Sequence, residues 1–488
     1  MMSQRLQNLQ QPFIAAKQFL SYELLMALFV FSGLYKGYSI FSYLPMDITA
    51  ILGIACLGTA AYMLLKRQVQ VSKDQMVVTA VGLLFFLCMA ISSFWSSDTH
   101  YAVYKATMML PTVVITFLGC TLIVSSSKQR CERFIYCVTL LAVVQSLVVL
   151  VAYVFQHQFI GLELSSGDYL SAGYLVGLAW IAMYCRAVFS PSSLIKHKME
   201  IVLLVLLSNA IMVLGGKQNL LGIIFIMALT IVLPKFNIKR LGRTAIILAI
   251  VIPSIFIFPY FVIRGDEGFS DMYKLADTTT TEGTTTEESA PVIADATTEE
   301  STSVIADAIT TEESASVKED TTKTAISIPL KDRIGFIVVK IGQNLPSIYR
   351  LLNATNIAES ASVRDRITLA TAAWEGWLAK PVTGHGLGSF SYSANNRESK
   401  YPHNIIFEVL YEGGLIGLLL LLLLLRRSIF TFKDRQLAHI DGLSIGVAFM
   451  FVFIGLTMMV SNTYANSRSF FAIFALLSTQ RGITQDAG

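Results

Sequence analysis

The sequence predicts an all-α polytopic membrane protein, with about twelve transmembrane helices and one large loop between the ninth and tenth. Three observations predict it. The 488-residue chain is 54% hydrophobic and 14% charged, with a mean hydropathy of +0.60, whereas a soluble protein carries roughly 25% charged residues. Apolar runs of about 18 residues or more recur along it, long enough to cross about 30 Å of hydrocarbon as helices. The basic residues are sorted into alternate loops, so the net charge of +4 says little by itself.

The runs place helices near 20–42, 46–65, 75–94, 107–125, 134–155, 170–190, 199–215, 219–234, 244–262, 403–425, 440–460 and 468–480. Residues Met1 to Gln18 are polar and mixed, and no small-residue cleavage site follows, so no secretory signal is read there. Lys66, Arg67 and Lys73 follow the second helix, and Lys128, Arg130 and Arg133 the fourth. Lys196 and Lys198 follow the sixth, Lys235, Lys239, Arg240 and Arg243 the eighth, and Arg426, Arg427, Lys433 and Arg435 the tenth. The other loops hold few cations: Lys36, Lys105 and Lys217. Positive charge stays on the cytoplasmic side, so both termini are expected there and the loop at 263–402 on the opposite face.

The expected organisation is therefore helices one to nine over 1–262, the loop over 263–402, and helices ten to twelve over 403–488. Within the loop, 276–324 is a low-complexity insertion in which TTEES recurs at Thr285–Ser289, Thr297–Ser301 and Thr310–Ser314. Rich in Thr, Glu, Ala and Ser, it is too polar to offset its ordering entropy by burial and reads as disordered. The part at 330–402 reads as ordered. An amphipathic or re-entrant helix is expected over 334–352. A second helix carries Ile367, Leu369, Ala373, Trp374 and Trp377 towards one side and is stopped by Pro381. A glycine-rich turn, GHGLGSFSYS, follows.

Several residues here could carry chemistry, and each has a plainer reading beside it. His403 and Asn404 form a polar pair at the mouth of the tenth span; the imidazole suits a general base at the membrane surface or a histidine simply sitting at the interface. Arg364 and Arg366 suit bidentate capture of phosphate oxygens, or snorkelling to headgroups. Glu408 and Glu412, four residues apart, fall roughly on the face of His403. Carboxylates within a span are costly and point to function, but the helix N-terminus lowers that cost. Glu408 thus suits orienting the histidine or a sugar, or a structural role, and Glu412 a structural one. Lys217 and Arg468, at outer ends of spans, suit phosphate binding or snorkelling. Gly384, Gly386 and Gly388 open no nucleotide-binding unit and fit a tight turn with close backbone approach. The six cysteines, Cys56, Cys88, Cys120, Cys131, Cys137 and Cys185, show no C-x-x-C spacing and read as small buried hydrophobes. No metal site, cofactor or nucleic-acid partner is read from the chain.

Two spaced patterns resemble a known family. R-x14-P-x-x-G-x-G-x-G runs from Arg366 through Pro381 to Gly388, and H-N-x3-E-x3-E-G-G-x-x-G from His403 to Gly417. In order, spacing and compartment they resemble the bacterial O-antigen ligase and O-antigen polymerase superfamily over roughly 361–420, and Trp95-Ser96-Ser97-Asp98 also looks like that family. The resemblance implies a GT-C-like, metal-independent glycosyltransferase of the bacterial inner membrane, acting on the periplasmic face. The implied donor is a glycan on undecaprenyl diphosphate. The implied acceptor is lipid A–core for a ligase, another repeat unit for a polymerase, or a protein hydroxyl for an O-oligosaccharyltransferase; the loop motif resembles ligases best. Carried over, His403 becomes the base, Arg366 the diphosphate clamp and Glu408 a supporting residue. Lys217 stands where the family usually has an arginine, and a lysine cannot grip phosphate bidentately. A lipid-linked sugar flippase is the rival of another class. Flippases and transporters tend to show related halves and polar groups at mid-membrane, whereas here the polar groups gather at the outer face.

Overall fold

The computed structural model describes residues 21–36, 38, 41, 43–156, 169–190, 192–214, 216–232, 238–258, 361–394, 397–433 and 442–485. The chain forms one compact unit from Met1–Tyr260 and Ile341–Gly488 and a second from Phe261–Lys340; everything below belongs to the first. The repeat insertion at 276–324 and the helix expected at 334–352 lie outside the described residues.

A helix stands at each of the twelve expected positions. The first is α1 (Tyr22–Val30), capped by Ser21 and broken at Phe31 before the short α2 (Ser32–Tyr35). Asp47, paired with Lys36 at 2.5 Å, caps α3 (Ile48–Leu65). A capping box of Ser72 and Gln75 starts α4 (Lys73–Ile91), and the Gln75 amide also donates to Thr121 O and Ser125 Oγ. The next span is compound: α5 (Thr99–Met109), a π turn at Leu110–Val114, then α6 (Ile115–Leu122). Pro111 sits in that turn; a proline lacks the N–H that the α-helical ladder needs there. Then come α7 (Lys128–Gln156), α8 (Tyr169–Phe189), α9 (Lys198–Leu214), α10 (Lys217–Val232) and α11 (Ile238–Phe258). After the undescribed stretch follow α12 (Ala361–Ala379) and a hairpin of β1 (Tyr392–Ala394) and β2 (Arg397–Ser399), with Ser393 opposite Glu398. The chain closes with α13 (Ile405–Lys433), α14 (Gly442–Met458) and α15 (Arg468–Gln485).

Among the described residues, eight helical stretches are long and apolar enough to cross a membrane. They correspond to α3, α4, α5 with α6, α7, α8, α9 with the turn before it, α11 and α13. The positions of α10, α14 and α15 hold shorter apolar helices, and the broken α1–α2 pair is shorter still. The protein is thus nearly all-helical and built for the membrane. Its outward side chains agree: Ile54, Leu57 and Leu65 on α3 and Ile250 and Ile257 on α11 are exposed aliphatics, suited to a hydrocarbon solvent. Inside, α8 is the most enclosed span, with 94% of its apolar stretch buried. Phe86, Phe117 and Phe471 stack edge-on between α4, α6 and α15.

One expectation is corrected here. The sequence reading began the fourth span near 107 and left Lys105 in an outer loop. Asp98 Oδ1 accepts the Tyr101 N–H at 2.9 Å and so starts the helix at Thr99, which puts Lys105 inside it, 3% exposed. The polar stretch His100 to Lys105 reads as a loop only if its cap is overlooked.

Candidate functional site

Helix α13 is interrupted two turns after its start. Gly414 takes φ 60° and ψ −157°, which frees four backbone groups from the helical ladder. In a lipid environment such groups need partners within the protein. The glycine-rich segment supplies them. His385 N and Gly386 N donate to Tyr411 O and Glu412 O at 2.8 and 2.9 Å, and Leu415 N and Ile416 N donate to Pro381 O and Val382 O at 2.8 and 3.2 Å. The approach is so close that a Cβ on Gly384, itself at φ 66°, would lie 2.6 Å from Glu412 O. Gly386 and Gly388 also have positive φ, 94° and 68°, and a Cβ on Gly386 would meet Ser92 O at 2.5 Å. Ser92 Oγ accepts the Leu387 N–H at 2.9 Å, which ties the turn to the C-terminal end of α4.

Beneath this joint lies a buried charge cluster. Lys105 Nζ is 2.6 Å from Glu408 Oε1 and 2.6 Å from Glu412 Oε1, with both carboxylates fully buried. Glu412 also accepts from Gly388 N at 3.0 Å and Tyr464 Oη at 2.6 Å. Glu408 also accepts from Tyr464 N at 3.2 Å and from the Thr463 hydroxyl. Each carboxylate thus receives three donors, the arrangement a buried charge requires. Glu408, which the sequence reading offered to the histidine, therefore faces Lys105 and the 463–464 turn instead. Lys105, Tyr464 and Thr463 were missed, because their partners lie some fifty to three hundred positions away.

His403 sits just before α13, with an unusual positive φ of 55°. The Tyr401 ring packs against it at 4.4 Å, and Nδ1 is buried with no hydrogen-bond partner among the described residues. Burial, and then the positive charge of Arg366, hold its pKa below the usual imidazole value. Asn404, expected among the substrate-binding residues, is engaged as the cap of α13: Oδ1 accepts from Ile406 N and Phe407 N at 3.0 and 3.2 Å, and Nδ2 donates to Met459 O at 3.1 Å.

Helix α12 docks on α13 through Leu369, Ala373 and Phe390, with Phe407 and Tyr411 against them. Ile367 and Trp374 lie outside that seam and are exposed, and the Trp374 and Trp377 rings pack at 4.7 Å. Arg364 and Arg366 are exposed on the same helix. Asp98 and Lys400 pair at 3.3 Å across the outer surface; the Tyr101 N–H and the Lys400 ammonium hold the Asp98 carboxyl below the usual range. Arg468 is apart from these, buried at the start of α15 with Nη1 bonded to Phe29 O and Ser32 Oγ at 2.7 and 2.5 Å. Lys217 is the first residue of α10, and the next residue, Gln218, donates to Tyr174 Oη at 2.8 Å.

Residues 333–422 match the family model described as O-antigen ligase. The resemblance read from the motifs is thereby shown over a stretch that holds α12, the glycine turn, the hairpin, His403 and most of α13. No curated protein matches the chain.

Proposed function

We propose that this protein transfers a glycan from undecaprenyl diphosphate to an acceptor hydroxyl on the periplasmic face of the bacterial inner membrane, as an O-antigen ligase acting on lipid A–core. The matched family supports a membrane glycosyltransferase of the O-antigen ligase and polymerase type. The observation that carries the finer reading is His403, packed against the Tyr401 ring with a buried Nδ1 that has no partner among the described residues, and disfavoured as a cation by burial and the charge of Arg366.

In this reading the acceptor oxygen attacks the anomeric carbon while the bond to the diphosphate breaks. The hydroxyl proton passes to the neutral His403 imidazole, and undecaprenyl diphosphate departs as the anion. Arg366, with Arg364 beside it, neutralises charge that builds on the diphosphate. A diphosphate is already a good leaving group, so positioning and charge stabilisation suffice in principle. Glu408 contributes by fixing the first turn of α13, and hence His403, through Lys105. Lys217, the first residue of α10, is proposed as a further cation for the diphosphate. The topology that goes with this has both termini in the cytoplasm.

The test is purified protein in nanodiscs, given undecaprenyl-diphosphate glycan and lipid A–core. Wild type is expected to produce glycosylated lipid A–core, and His403→Ala to lose that product at normal protein levels. Chain lengthening alone would assign the polymerase reaction, and glycosylation of an added protein acceptor the O-oligosaccharyltransferase reaction. Full activity in His403→Ala would remove the histidine from the mechanism.

A further inference from the structure

Lys105 and Arg468 are both buried cations, and they differ in one respect. Lys105 has two carboxylates. Arg468, 8% exposed, has none within ion-pair distance; its Nη1 is held by a carbonyl and a hydroxyl, and its guanidinium lies 5.6 Å from the Phe29 ring centroid. Nη2 and Nε make no hydrogen bond among the described residues. A buried charge with no counter-charge is costly and persists where something compensates it.

Arg468 lines a cavity of about 300 Å³, the lower end of the range for small-ligand pockets. Gly33, Lys36, Thr112, Tyr174 and Asn462 also line it. Gly33 lets the guanidinium lie against the backbone: a Cβ there would be 3.1 Å from Nη2. Lys36 is paired with Asp47, so that carboxylate is already matched. Asn462 holds a positive φ of 85°, unusual for a residue other than glycine, with Oδ1 turned to Thr463 N at 3.1 Å and Nδ2 left over as a donor. Thr112 belongs to the π turn, a departure from α geometry that recurs at functional sites. Ser467 and Ser469, on either side of Arg468 at the start of α15, line the same cavity. The wall thus carries two cations, Lys36 and Arg468, against the single carboxylate of Asp47, which Lys36 already holds.

We propose that this cavity is a phosphate-binding site inside the bundle, with Arg468 as its bidentate fork and Asn462 as a second donor. It deepens the transferase reading and rests on it only for the expectation that a phosphate-bearing ligand reaches this face. The turn carrying Asn462 also carries Met459, bonded to Asn404, and Thr463, bonded to Glu408. A phosphate held here would therefore be one turn of chain from the His403 region, and separate from the exposed pair Arg364 and Arg366.

Two probes separate a lipid-borne from a soluble phosphate: phosphatidic acid in the nanodisc, and inorganic pyrophosphate added to nanodiscs of phosphatidylcholine alone. Full-length protein is expected to bind at least one, read by calorimetry and by a rise in unfolding temperature. Arg468→Gln is expected to weaken that binding by about tenfold to a hundredfold, the worth of hydrogen bonds to a charged group. Asn462→Gly keeps the backbone geometry, should weaken binding several-fold, and carries the test if Arg468→Gln does not fold. Absence of binding by both probes would overturn the proposal. So would binding unchanged by either substitution, or lost instead in Arg364→Gln/Arg366→Gln. His403→Ala should keep probe binding while losing transfer. Retained transfer in that variant would sink the transferase mechanism and leave the phosphate site standing.

Discussion

Lys105→Met should be among the most damaging single substitutions in this protein. The side chain is 4% exposed and meets two fully buried carboxylates at 2.6 Å each. Methionine fills similar space, so the loss is one of charge, not of packing. It leaves Glu408 and Glu412, one helical turn apart, with no cation between them. Breaking a buried ion pair by removing one partner costs about 3–5 kcal/mol, a large part of the roughly 5–15 kcal/mol by which a typical protein is stable. Removing the carboxylates as well should recover most of that loss, because buried pairs replaced as a whole are close to neutral. Lys105→Met/Glu408→Gln/Glu412→Gln is therefore expected to be more stable than Lys105→Met alone. Glu412→Gln by itself leaves a one-to-one pair of Lys105 and Glu408 and should cost less than Lys105→Met. The assay is thermal inactivation of purified protein in detergent, followed as residual monomer on size exclusion. A Lys105→Met protein as stable as wild type, or a triple variant worse than the single, would refute the account of the cluster.

Gly384→Ala places a Cβ 2.6 Å from the Glu412 carbonyl at φ 66°, so it should lower the unfolding midpoint by the equivalent of about 2 kcal/mol or more and cut transfer with it. The pH dependence of transfer tests the electrostatics of His403. Its pKa lies below the ordinary 6.5, so the base form persists at neutrality and the acid limb of kcat/KM should fall below that value. Arg366→Gln removes one of the two depressing influences and should move the limb upward; a limb that stays or moves down would contradict the coupling. A histidine whose folded pKa is depressed also contributes stability that is complete above its unfolded pKa and lost as pH falls from there towards the folded value. Lys400→Ala removes an exposed pair and should leave the unfolding midpoint unchanged. Deletion of residues 278 to 322 should leave transfer largely intact, measured in the same nanodisc assay; total loss would show that the insertion takes part.

Much of the architecture was legible because lipid imposes a simple rule on composition. Each apolar run corresponds to a helix, and the errors lie where a helix departs from uniform polarity. The start of α5 was misjudged because its first two turns carry His100, Tyr101 and Lys105, which look like a loop until Asp98 is recognised as their cap. The first span was drawn as one helix across the break at Phe31. At the site, spacing along the chain singled out His403, Arg366 and the glycines as candidates, since these lie within one continuous stretch. It could not find what they rest on. Glu408 and Glu412 meet Lys105 across about three hundred residues, and the pairing of the glycine turn with α13 depends on a backbone angle at Gly414 that no composition encodes. Arg468 was named as a candidate from its place at the end of a span, and only the fold shows that its charge is enclosed.

The break in α13 has a consequence for how such a centre could work. Pro381–Gly386 and Tyr411–Ile416 are stitched edge to edge, so sliding one past the other would strip several peptide groups of their partners at once. That makes the joint an anvil rather than a gate. The entropic cost of ordering it is met when the chain folds, and incoming substrates meet a surface already in register. In the proposed transferase, the supply of lipid-linked donor, and not an opening of this joint, then sets the traffic.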